Sequence, residues 1–129
     1  MTISLSGPYA GTCVGADGAA AVVVTTPQVI AGKLIGIYIK YAGDKPATTD
    51  VVITTKGTSP SIPALTLLTL TDKVTDGLFL VRVTPVGVTG VALAALTVLE
   101  PFPVHDQLVM TVAQANTDDV ISMWLLVEN

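Results

Sequence analysis

The chain has 129 residues, half of them hydrophobic and only 12% charged, with a formal net charge of −4. That fits one domain of ordinary size carrying about half the charge of a typical soluble domain. The basic residues stand singly at Lys33, Lys40, Lys45, Lys56, Lys73 and Arg82, and aromatics make up 5%, so there is neither a phosphate footprint nor a base-stacking platform, and no nucleic-acid partner is expected.

In chain order, the first segment, "MTISLSGPYAGTCVGADG", is small, Gly-rich and uncharged until Asp17. It lacks the basic and apolar regions of a signal peptide, and residues 1–17 are expected to form an extended N-terminal arm, with 18–129 as a single β-sandwich domain. "GAAAVVVTT" (18–26) reads as a strand ending before Pro27. "GKLIGIYIKY" (32–41) alternates, with Ile35, Ile37, Ile39 and Tyr41 on one face and Leu34, Gly36, Tyr38 and Lys40 on the other. A turn-rich connection leads to the strand "VVITT" (51–55), closed by "KGTSPSIP", where glycine and proline forbid continuation.

"LTLLTLT" (65–71) alternates again, and "DKVTDG" is a turn before the strand "LFLVRVTP" (78–85). Stretch 86–100 is ambiguous: Gly87 and Gly90 break it, "ALAAL" suits a helical turn, and its valines favour extended structure. No apolar run reaches the length of a membrane span, so no membrane partner is expected. Then come "PFPVHD", the strand "QLVMTVAQA" (107–115), the turn "NTDD" and a last strand, "VISMWLLVE" (120–128).

Seven or eight short strands at this spacing predict an all-β protein, an antiparallel β-sandwich of jelly-roll-like type, with an immunoglobulin-like sandwich as the alternative. In the last strand Val120, Ser122, Trp124 and Leu126 share one face, and Ile121, Met123, Leu125 and Val127 the other. A strand apolar on both faces needs cover on both. One face is the core; the other calls for a loop, the N-terminal arm or a neighbouring subunit. The charge count poses the same choice. A 13.2 kDa monomer exposes roughly 6,400 Å², and its few charges leave about one per 400 Å². Either neighbouring subunits cover much of that surface, or the eighteen threonines solubilise it without charge.

Candidate chemistry is sparse. The only histidine, His105, adjoins Asp106, a pairing that could be half of a triad. Adjacent residues of an extended chain point in opposite directions, however, and the sequence has no Gly-x-Ser-x-Gly elbow. The pair is read as a polar loop leading into a strand, with Asp106 accepting backbone N–H groups. The one cysteine, Cys13, is read as a small apolar filler. Asp72, Asp76, Asp118 and Asp119 lie in turns without an EF-hand pattern, and one His with one Cys cannot build a zinc site. No enzyme activity, metal or cofactor is expected.

Three stretches carry a resemblance: "IGIYIKYAGDKPATTDVVITT", "LTLLTLTDKVTDGLFLVR" and "PFPVHDQLVMTVAQANTDDVISMWLLVE", together spanning about residues 34 to 128. They resemble small virion proteins of tailed bacteriophages and prophages in the Pro103, Val104, Asp106 lead into a strand, the Val112 to Asn116 strand end and the final strand with Trp124. The resemblance implies a non-enzymatic particle component, closest to a capsid decoration (cement) protein. Such a protein is β-rich and homotrimeric, is made in the host cytoplasm and is carried on the capsid exterior, with the major capsid protein as its partner. On that reading residues 1–17 and 86–99 are the contact segments, and Tyr9, Val88, Val91, Leu93, Leu96 and Trp124 are the expected subunit-contact residues. Two alternatives stay open. One is a tail- or fibre-associated sandwich binding a host glycan through an exposed aromatic pair, Tyr38 with Tyr9; the other is a tail-tube or head-completion ring protein.

Overall fold

The computed structural model describes residues 2–57, 63–82 and 101–129. Within them nine strands form two antiparallel sheets. The first sheet holds β1 (Ile3–Thr12), β9 (Val120–Glu128), β3 (Ile30–Ala42) and β6 (Gly77–Leu80) in that order, with β7 (Phe102–Asp106) also paired to β3. The second runs β2 (Ala20–Thr25), β8 (Leu108–Ala115), β4 (Asp50–Thr55), β5 (Thr66–Leu70). Only Gln107 separates β7 from β8, so the chain crosses between sheets at that corner. Counted as one bent strand, β7 and β8 complete an eight-stranded double sheet in which successive strands repeatedly change sheets. This is the jelly-roll winding expected from the sequence, and not the immunoglobulin-like alternative.

Alternation places the core. From the first sheet Ile37, Ile39, Ile121, Met123 and Leu125 point inward; from the second, Val51, Ile53, Leu108, Met110 and Val112 meet them, all fully buried. Each contributes about 1.5–3 kcal/mol by leaving water.

In the first sheet two β-bulges shift this register. The bulge between Leu34 and Gly36 makes Ile35 the extra residue, so Leu34 joins the core alongside Ile37. The Ile35 carbonyl accepts the N–H of Val81 and a guanidinium N–H of Arg82. A second bulge interrupts β1 between Ser6 and Tyr9.

Two sequence expectations are corrected. Residues 3–12 are extended, but they do not form an arm lying off the domain; they are β1, paired with β9 from Ile3↔Glu128 to Thr12↔Val120. "PFPVHD" is likewise not a loop but strand β7, antiparallel to β3 from Ile30↔Asp106 to Leu34↔Phe102. Pro103 is tolerated there because β7 has no partner beyond β3 among the described residues, and a proline can face outward from a strand with a free edge.

Candidate functional site

At the Gln107 corner, His105 is exposed and Asp106 buried, so the two side chains leave β7 on opposite sides, as alternation requires. The Asp106 carboxylate accepts the N–H of Gly57 at 2.8 Å and of Gln107 at 2.7 Å. It thereby ties the end of β4 to the crossing between sheets. At the other end of the sandwich Asp119 does the same work. It is 1% exposed, and its carboxylate accepts the N–H of Lys45 and of Asn116, each at 3.0 Å.

Three further aspartates are similarly engaged. Asp76 accepts the N–H of Tyr41, Asp50 that of Asp72, and Asp17 that of Thr117. Among the described residues no group of three or more His, Cys, Asp or Glu side chains gathers to hold a metal ion. Cys13 is fully buried, and burial, reinforced by the negative charge of Asp119, raises its thiol pKa.

The distinctive surface lies on the outer face of the first sheet. The register aligns Leu5 with Leu126, Trp124 with Tyr38, and Tyr38 with Leu78 across four strands. Their side chains line a groove of about 360 Å³. Tyr38 and Trp124 form its floor, with ring centroids 5.6 Å apart at 70°, an edge-to-face pair. Leu5, Leu78 and Leu80 stay 64%, 52% and 59% exposed, and Ile3 on the same face 55%. Large apolar side chains scattered singly need no explanation, but a contiguous group of this kind marks an interaction surface.

Of the expected contact residues, Trp124 sits at the centre of this face. Tyr9 does not join it: the β1 bulge places Tyr9 opposite Met123, so it packs against the core and bonds through its hydroxyl to Ser6. The expected aromatic pair of Tyr38 with Tyr9 is therefore replaced by Tyr38 with Trp124. Val88, Val91, Leu93 and Leu96 lie outside the described residues. Sequence reasoning missed Leu5, Leu78 and Leu80. The signal for Leu5 was present in "ISLS", where Ile3 and Leu5 alternate with serines, but it carries no meaning until the segment is known to be a strand.

Comparison of the chain with protein-family models, with curated proteins and with solved structures finds no match.

Proposed function

We propose that this chain is a non-enzymatic structural protein of a tailed-phage particle, a decoration or cement protein that binds the exterior of the capsid lattice. The observation that carries this reading is the apolar outer face of the first sheet, centred on Trp124 and Tyr38. It is a surface built for contact with protein, on a rigid double sheet. The particle itself is supplied by the sequence resemblance over about residues 34 to 128. The mechanism is linkage: a protein that binds only the assembled lattice stabilises it by mass action. As a homo-oligomer it bridges several major capsid subunits and gains from multivalency.

The glycan-binding alternative finds less support. A sugar needs hydrogen-bonding groups around its aromatic platform, whereas Leu5, Leu78 and Leu126 surround this one. Particles purified from the source lysate test the proposal by mass spectrometry and electron microscopy. The chain is expected in full heads at a fixed ratio to the major capsid protein, as density on the outer shell. Its absence from heads overturns the reading, and its presence in tails alone transfers it to the ring-protein alternative.

A further inference from the structure

We propose that the outer face of the first sheet is a self-association surface, occupied by a second copy of this chain packed face to face about a two-fold axis. This goes beyond the capsid reading, which rests on the same face: a pair joined there meets the lattice through its remaining surfaces.

The first argument is area. Ile3, Leu5, Leu78 and Leu80 are each more than half exposed and together present on the order of 400 Å² of apolar surface. The part-exposed Tyr38, Trp124 and Leu126 bring this to roughly 500 Å². A standard interface takes about 800 Å² from each partner, of which about 60% is apolar, and therefore needs on the order of 480 Å². This one face supplies the apolar content of a stable dimer.

The second argument is complementarity of the face with itself. Along β3 the outward residues are Lys40, Tyr38, Gly36 and Lys33; level with them on β9 stand Ser122, Trp124, Leu126 and Glu128. A two-fold axis running along the strands, between β3 and β9, lays the β3 row of one copy on the β9 row of the other at the same levels. Tyr38 then meets Trp124 of the second copy. Leu126 comes over the Leu78 and Leu80 side chains that cover Gly36. Lys33 faces Glu128, and Lys40 faces the Ser122 hydroxyl. On the flanks β1 lies over β6, bringing Leu5 to the level of Leu80. Rings meet rings, apolar meets apolar and opposite charges meet, as an isologous contact requires. The other in-plane two-fold, across the strands, sets Lys40 against Lys33 and is disfavoured by like charge.

Sedimentation velocity over a dilution series of the full chain, read together with the emission of Trp124, tests this. The wild type is expected to sediment as two chains of 13.2 kDa, or an even multiple, with Trp124 emission moving to the red as dilution separates them. Leu5→Lys and Leu80→Lys alter exposed side chains, so the fold, checked by circular dichroism, persists while the dissociation constant rises at least about tenfold. Lys33→Glu weakens association, and adding Glu128→Lys restores it. The proposal is overturned by a wild type that remains monomeric at its highest soluble concentration. It is also overturned by Trp124 emission that stays blue at every dilution, which means that the chain covers its own face. A trimer, or an assembly indifferent to Leu5→Lys and Leu80→Lys, overturns it as well. Each of these results is distinct from finding the chain absent from phage heads.

Discussion

Asp119→Ala is expected to be among the costliest single polar changes in this protein. The carboxylate is buried and holds two backbone N–H groups, those of Lys45 in the β3–β4 connection and Asn116 in the β8–β9 turn. The main chain of Asp119 accepts the N–H of Cys13 at 2.7 Å, just past β1. One residue therefore ties three connections at one end of the sandwich. Hydrogen bonds to a charged group contribute about 1.5–3 kcal/mol each. Lys45 is exposed and Asn116 half-buried, so water partly replaces the lost acceptor, and the low end applies. The sum is about 3 kcal/mol, which in a domain of this size lowers Tm by roughly 10 °C. Asp119→Asn is the control: its amide oxygen can still accept both N–H groups, and only the charge is lost, for about 1 kcal/mol. Urea unfolding of the three proteins measures both differences. If Asp119→Ala unfolds within about 0.5 kcal/mol of wild type, a typical surface effect, Asp119 is not the tie described here.

Gly43 has φ +110° and an added Cβ would collide with the Asp119 carboxylate; Gly43→Ala is expected to destabilise by about 2 kcal/mol. Part of that loss should vanish in the Asp119→Ala background, and a double-mutant cycle reads the coupling. Tyr41 is 3% exposed, and its hydroxyl has no hydrogen-bond partner among the described residues. Burial first, and the charge of Asp76 second, push its pKa up to about 12. The unfolded chain releases this proton near pH 10 and the folded chain only near 12, so the stability from this group is complete below about pH 10 and is lost as pH rises towards 12, by on the order of 2–3 kcal/mol. Tyr41→Phe should flatten that decline in alkaline denaturation and, by removing an unpaired buried hydroxyl, stabilise the protein near neutrality by about 1 kcal/mol. Cys13 should react with a thiol reagent orders of magnitude more slowly in the folded protein than in urea, and equal rates in a colorimetric assay refute its burial. Met123→Ala should cost about 2–5 kcal/mol of stability, while its neighbour Trp124→Ala loses less stability and more self-association; the reverse ranking places the wrong face of β9 in the core.

Most strands were legible because one period-two pattern accounts for each. "VVITT", "QLVMTVAQA" and "VISMWLLVE" match β4, β8 and β9 to within a residue. The two missed strands share a physical cause. "SLSGPYAG" and "PFPVHD" hold the glycine and prolines that signal loops, and they are strands because of their partners: β1 lies on β9, and β7 on β3. Pairing of that kind is a tertiary property, and no local propensity encodes it. The same holds for the winding of the sheets, which turns on a single corner at Gln107.

Bulges limited the reading of the site. From "ISLSGPY" a strict alternation puts Ile3, Leu5 and Tyr9 on one face, but the extra residue between Ser6 and Tyr9 reverses parity, because a one-residue slip exchanges the two faces of everything beyond it. That slip turns Tyr9 inward while Ile3 and Leu5 stay out beside Leu126. In β3 the bulge after Leu34 lets both Leu34 and Ile37 reach the core and turns Tyr38 to the outer face, with Gly36 on the same side beneath Leu78 and Leu80. β9 has no such break, and its two apolar faces were visible from the start. Lying between β1 and β3, it has both edges paired, so Ile121, Met123, Leu125 and Val127 fill the core and commit Trp124 and Leu126 to the outside. The choice of which side of β9 is core thus also fixes the apolar surface that another molecule can meet.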